Sequence, residues 1–262
     1  MQNIRPLFIV FFSFTLFLLL SCFSSENKTE QVQNTSVLLP SSANCDQIVS
    51  HKAYTLCYSE KNEQAKWVAY LLTKDMCITN AVKRKDKFIP DPMVKTGSSE
   101  PADFKNSGYD RGHLCPAGDM NWSEQTMEES FYMSNMSPQL HEFNAGIWER
   151  LEKKVRSWAE QKGSVYVIDG GVLTPNLPTI GEKNKVSIPE YFYKIVLSGD
   201  EKDPSVIAFV IANKNWIKKS YFDFVVPVDS VEKMTGIDFF PQLNDSIENK
   251  IERSISTNGW MN

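Results

Sequence analysis

The chain has 262 residues, of which 42% are hydrophobic and 12% aromatic, enough to bury a sizeable core and to exclude global disorder. Its formal net charge of -4 is the wrong sign for a protein that coats nucleic acid by bulk charge. A nucleic-acid partner therefore requires the basic residues to gather on one face.

The first elements read as targeting. Arg5 precedes an apolar run from Leu7 to Leu20 that only Ser13 and Thr15 interrupt. The run is short for a membrane span and fits the core of a signal peptide. It ends in Leu19-Leu20-Ser21-Cys22, which resembles the lipobox of bacterial lipoproteins. That resemblance implies a signal peptide over 1–21 and a mature chain starting at a lipidated Cys22, held on a membrane at its periplasmic or cell-surface side. Leu20 is an unusual lipobox residue, so simple secretion and an uncleaved anchor stand as alternatives. Residues 22–44, rich in Ser, Asn, Thr, Gln and Glu, read as a flexible tether to a domain spanning 45–262. Beyond Cys22 the cysteines are Cys45, Cys57, Cys77 and Cys115. In an oxidising compartment they allow up to two disulfides, with three connectivities, and free buried thiols are the alternative. No CxxC pair occurs, which argues against a zinc ribbon.

Further along, Tyr54–Tyr58 and Trp67–Leu72 predict strands around a polar turn at Lys61–Gln64. Lys83–Lys87 is a basic cluster, followed by a loop at Pro90-Asp91-Pro92. From Leu140 to Gln161 the apolar residues Phe143, Ile147, Trp148, Leu151, Val155 and Trp158 recur at helical spacing, and Gly163 ends the helix. Val165–Ile168 predicts a short strand running into Gly170-Gly171. Tyr191–Leu197 and Val206–Ala212 predict two more, and a short helix lies within Val226–Gly236 with Asp229 as its N-cap. The fold class is α+β, with a mixed sheet and a central helix.

The stretch that carries chemistry is Tyr109-Asp110-Arg111-Gly112-His113-Leu114-Cys115-Pro116. His113 is one of three histidines, with His51 and His141. An unperturbed imidazole titrates near neutrality and can take a proton from water. Glycine permits close backbone approach, and proline ends the strand. Asn135-Met136-Ser137-Pro138-Gln139 follows. Then come Asn144 and Glu152, eight residues apart and so on one side of a regular helix.

These blocks resemble the DNA/RNA non-specific endonuclease family, the endonuclease G-like, sugar-non-specific nucleases. The hallmark Asp-Arg-Gly-His is Asp110–His113. The resemblance continues through 131–139, 144–152, 189–194, 208–213 and 231–240. It implies a ββα-metal nuclease fold that hydrolyses phosphodiester bonds of DNA and RNA without sequence preference. It implies His113 as general base and Asn144 as the direct protein ligand of Mg2+, for which Mn2+ can substitute. Glu152 then holds the metal through a water, Asn135 lies near the scissile phosphate, Arg111 meets the phosphate, and Arg84 is a second phosphate contact. Asp110 braces the motif. Cys115 stands where many relatives have Ala, and Gly171 where many have Pro.

Arg84, Lys85, Arg111, Arg150 and Lys154 lie near these blocks and offer the basic face that the net charge demands. Trp148 reads as a core anchor, His141 as a cap or surface residue, and Lys214–Lys219 as a phosphate-tracking strip or a solvated loop. The competing function, from a different class, is a catalytically silent surface lipoprotein that uses the same fold as a binding module. A zinc phosphodiesterase lacks the His and Asp cluster that zinc needs.

Overall fold

The computed structural model describes residues 39–199 and 203–261. The strands are β1 (Gln47–Ser50), β2 (Thr55–Ser59), β3 (Gln64–Thr73), β4 (Asp110–His113), β5 (Met136–Gln139), β6 (Ser164–Gly171), β7 (Thr179–Ile180), β8 (Val186–Ser187), β9 (Tyr191–Ser198), β10 (Ser205–Ala212) and β11 (Val225–Val226). The α-helices are α1 (Lys74–Ile78), α2 (Glu124–Ser130), α3 (Glu149–Lys162), α4 (Val228–Thr235) and α5 (Asp245–Arg253).

Seven strands form one sheet in the order β1-β2-β3-β6-β9-β10-β11. Every pairing in it is antiparallel, so the sheet is not the mixed one expected from the sequence. β1 to β3 form successive hairpins. The excursion from β3 to β6 carries the β4–β5 ribbon and α3, then re-enters the sheet antiparallel to β3. Side chains alternate across a strand, and both faces here are buried. Tyr70, Leu72, Val167 and Val196 pack on one face with Leu151, Val155 and Trp158 of α3. Trp67, Ala69, Ile168 and Ile195 pack on the other with Val228 and Val231 of α4 and Ile251 of α5. This explains why the central strands read as near-continuous apolar runs.

The long central helix of the sequence reading is interrupted. Phe143–Trp148 forms a π-helical turn, with Gly146 at φ -109°, ψ -107°, before regular helix begins at Glu149. The turn stays buried because Phe143, Ile147 and Trp148 are core residues. At the other end Gly163 caps α3 at φ 88°. The N-cap of α4 is Pro227, not Asp229, which lies in the first turn, where its charge still favours the helix dipole. Gly171 is paired with Phe192 inside β6 rather than sitting in a turn, and the ring of Pro189 occupies the space a side chain would need.

Packing begins earlier than the expected tether boundary. The Ser41 N–H donates to the Asp238 carbonyl at 2.7 Å, Trp67 Nε1 donates to the Ser41 carbonyl, and Gln242 donates to the Leu39 carbonyl. Leu39–Asn44 therefore belongs to the folded unit. The apolar run, Cys22 and the rest of the tether lie outside the described residues. Among the described residues no helix is long and apolar enough to cross a membrane.

Of the two disulfides the sequence allows, one forms, Cys45–Cys57, joining the segment before β1 to β2. Cys77 and Cys115 are free, and Cys115 is fully buried in the α3-side core. The bridge closes a 12-residue separation, worth about 3 kcal/mol by chain entropy. Cys45→Ala should lower Tm by roughly 5–10 °C in non-reducing buffer. Added reductant should destabilise the parent chain and leave the variant unchanged.

Candidate active site

Arg111 and His113 are two residues apart in β4, so their side chains leave the same side of the ribbon. β4 pairs with β5 in the register Asp110↔Gln139 to His113↔Met136. The backbone approach at Gly112 is as close as its glycine suggests: a Cβ there would lie 2.2 Å from Gln139 Oε1. The ribbon is fastened from below. The Ser137 hydroxyl donates to Gln64 Oε1 at 2.6 Å, and Asn213 Nδ2 donates to the Pro138 carbonyl at 3.1 Å.

The ribbon meets the π-turn through Asp110. Asn144 Nδ2 donates to Asp110 Oδ2 at 2.9 Å, and His141 Nδ1 lies 2.9 Å from the same oxygen. Asp110 thus braces the motif, and His141 is an exposed brace beside it. With Nδ2 committed, Oδ1 is the atom of the Asn144 amide for which the described residues supply no donor.

Arg84, Arg111, His113, Asn144, Glu152 and Arg156 line one cavity of about 310 Å³. It adjoins a cleft of about 670 Å³, walled by Phe88, Lys105, Tyr109 and Asp110, that shares Arg84, Arg111 and Asn144. The interrupted helix still delivers Asn144 and Glu152 to one wall, although they do not share a regular helical face. Arg156 and Lys105 were not singled out in the sequence. Arg156 follows Glu152 by four residues, the helical spacing that could have marked it. Lys105 carries no comparable signal.

His113 is buried, and its Nε2 has no protein hydrogen-bond partner. Its ring stands edge-on to Phe131 at 5.0 Å and 5.8 Å from Phe88. The same two rings carry the arginines, Arg111 over Phe88 at 4.2 Å and Arg84 over Phe131 at 5.2 Å. Burial pushes the His113 imidazole down to about 3, and Arg84 and Arg111 add to this against Asp86. The ring is therefore neutral at physiological pH, not poised near its ordinary value as the sequence suggests.

Burial pushes the Glu152 carboxyl up to about 8, against the pull of Lys194 and Arg156. Arg156 is already engaged, donating to Asp119 Oδ1 at 2.6 Å, and Lys194 is paired with buried Asp169. Glu152 thus faces the cavity without a full counter-charge. An open amide oxygen beside an under-compensated carboxyl suits a hard divalent cation.

Asn135 does not line this cavity. It is fully buried: its Oδ1 accepts from the Cys115 N–H, and its Nδ2 donates to the carbonyls of Cys115 and Ser130. Those bonds tie the segment after β4 to the end of α2. The basic face is also composed differently. Lys85 pairs with Glu124, Arg150 donates to the Trp216 and Lys219 carbonyls, and Lys154 lies 5.7 Å from the Trp158 ring. Lys214–Lys219 supplies no residue to the cavity wall.

Because Gln139 is fully buried and cannot swing away, Gly112→Ala should cost about 1–3 kcal/mol through overpacking. Adding Gln139→Ala should recover part of that loss, a non-additivity readable by denaturant titration of the double-mutant cycle. Simple addition of the two losses would mean that the contact does not set the ribbon.

Comparison with known proteins converges on one family. The family model for DNA/RNA non-specific endonucleases matches residues 25–246. The chain is 35% identical over 206 residues to "Nuclease EXOG, mitochondrial" of Danio rerio, covering 72% of this chain but 60% of that protein. It is 30% identical over 209 residues to "Endonuclease G, mitochondrial" of Homo sapiens, covering 75% of this chain and 70% of that one. To "Nuclease C1" of Cunninghamella echinulata var. echinulata it is 34% identical over 213 residues, covering 76% and 84%. Among solved structures, the EndoG/EndoGI complex matches with a TM-score of 0.70 and 32% identity, over 75% of this chain and 86% of that one. A family model that matches most of the chain, and relatives 30–35% identical over about three quarters of it, show that the chain belongs to the DNA/RNA non-specific endonuclease family.

Proposed function

We propose that the chain is an exported, divalent-metal-dependent endonuclease that hydrolyses phosphodiester bonds of DNA and RNA without sequence preference. The observation that carries this reading is one cavity walled by a neutral imidazole with an unpartnered Nε2, an open amide oxygen, an under-compensated carboxyl and two exposed arginines. Family membership implies a divalent metal, and Mg2+ is the ion we assign. Asn144 Oδ1 would hold it directly and Glu152 through a water, a small protein share that suits an ion reluctant to shed its hydration shell. When bound, that cation supplies positive charge for the transition state and its leaving oxygen.

The remaining steps belong to the chain's own residues. Arg111 and Arg84 seat the phosphate, their guanidiniums held in place by Phe88 and Phe131. His113 Nε2 takes the proton of the attacking water. A neutral base needs no prior deprotonation, and an incoming phosphate dianion-like transition state offsets the two arginines that depress it. Contacts to phosphate and sugar carry no sequence information, which fits indifferent cleavage of DNA and RNA.

His113→Ala should lower turnover about 10²–10⁴-fold with Tm preserved. Because the folded value lies near 3, the acid limb of kcat/KM at saturating metal should fall well below pH 6.5. An acid limb at 6.5 would show that burial does not hold the ring below its ordinary value in the working enzyme. In the same assay EDTA should stop plasmid nicking, and Mg2+ or Mn2+ should restore it. Asn144→Ala should raise the Mg2+ requirement more than Glu152→Gln, for which about 10–100-fold is expected. The reverse order would make the carboxylate the direct ligand. Protein that never cleaves under any of these conditions would instead be a binding module.

Export rests on the apolar run from Leu7 to Leu20 and on a disulfide that needs an oxidising compartment. We assign membrane attachment to lipidated Cys22. Cys22→Ser should move the protein from the membrane to the soluble fraction. Persistence on the membrane with residues 1–21 still attached would identify an anchor.

A further inference from the structure

A second cluster of titratable groups lies across the sheet from α3, where α4 and α5 pack together around Val231, Leu243 and Ile251. Asp229 and Glu232 are three residues apart on α4, and Glu248 and Glu252 four apart on α5. Each spacing puts both carboxylates on one helix face, where like charges destabilise the helix. Asp238, from the connection between the helices, joins them. Carboxylate oxygens of Asp229, Glu232 and Glu252 lie within 4.8 Å of one another, as do those of Asp238, Glu248 and Glu252. Glu252 is common to both groups.

No basic residue offsets this arrangement. Among the described residues none of the five carboxylates forms a salt bridge. Glu232 Oε1 accepts the Phe239 N–H at 3.0 Å, but Glu252 is only 7% exposed and its Oε1 is buried without any hydrogen-bond partner. A buried, unpaired carboxylate oxygen is costly, and Glu252 carries one at the residue shared by two carboxylate triads, where a cation held by either triad would offset it.

We propose that the α4–α5 carboxylate cluster is a calcium-binding site centred on Glu252, and that the ion clamps the two C-terminal helices to each other. The donors are all oxygen, which disfavours zinc. Calcium takes six to eight oxygens in flexible geometry, whereas magnesium demands a near-ideal octahedron, keeps its waters and uses one or two carboxylates. The site is separate from the catalytic cavity and independent of the nuclease reading. Glu248 and Glu252 also lie beyond residue 246, past the stretch that the family model matches.

The test is thermal unfolding of the EDTA-treated full chain, titrated with CaCl2 and separately with MgCl2 at constant ionic strength. Raising calcium from well below its Kd to about 100-fold above it should raise Tm by about 5–10 °C, with a much smaller rise in magnesium. Glu252→Gln should remove the calcium-specific rise while leaving magnesium-supported cleavage unchanged. The exposed Asp229→Asn and Asp238→Asn should each weaken it, and they carry the test if Glu252→Gln does not fold. Asn144→Ala should retain the full rise, which separates this site from the catalytic cavity. The proposal is overturned if calcium produces no rise, if magnesium matches it, if the rise survives in the cluster variants, or if Asn144→Ala abolishes it.

Discussion

Everything at the candidate active site depends on one carboxylate. Asp110 belongs to the strand that carries Arg111 and His113, and it accepts a hydrogen bond from Asn144, which belongs to the turn that begins the central helix. A two-stranded ribbon is marginal by itself and needs something to lie against. Ser137 and Pro138 fasten the ribbon to Gln64 and Asn213, and Asp110 adds a contact to the turn that also engages the Asn144 amide. The Asn144 amide and the His113 imidazole therefore share one frame, joined at Asp110.

The frame is stiffened from two sides. On the outer side Phe88 and Phe131 pack edge to face on each other, with His113 against both rings, Arg111 over Phe88 and Arg84 over Phe131. The rings keep water from the imidazole, and this is what leaves it neutral. They also place permanent positive charge within reach of a phosphate. On the inner side, beneath α3, Lys194 pairs with Asp169 and Arg156 with Asp119, while the Tyr70 hydroxyl donates to Asp119 at 2.9 Å. The Lys194 ammonium also sits 4.6 Å from the Trp148 ring. Those cations are largely spent on buried aspartates, so Glu152 is not neutralised from within the protein. A saturated network there would leave the carboxyl no use for a metal.

Net charge misleads for a chain of this kind because it sums surfaces that never meet. The cleft is lined by Arg84, Lys105, Arg111 and Arg156, while five carboxylates gather around α4 and α5 on the other face of the sheet. Asp86, Asp110, Glu149 and Glu152 line the cleft too, and steering responds to that local arrangement of charge rather than to the sum over the chain.

Much of the site was legible in the sequence because its pieces are short-range. The Asp110–His113 segment, the glycine that lets β4 lie on Gln139, the apolar spacing that buries α3 and the glycine that ends it are local patterns with local causes. So are the central strands, whose unbroken apolar runs reflect burial on both faces. Tertiary structure decided what depends on neighbours distant in the chain. The amide of Asn135 turned inward because the Cys115 backbone, 20 residues away, was waiting for it. Arg150 went to carbonyls of the loop after β10 and not to the cleft. The helix breaks at Gly146, inside a turn that buries Phe143, Ile147 and Trp148 and puts Asn144 on the cavity wall. The histidine lost its ordinary titration because two phenylalanines and two arginines from separate segments close around it. Sequence determines which chemistry is carried, since residue types and local spacing are written in it. Burial and the competition for hydrogen-bond partners are properties of the packed chain, and they determined which of those residues face the cavity and in what protonation state.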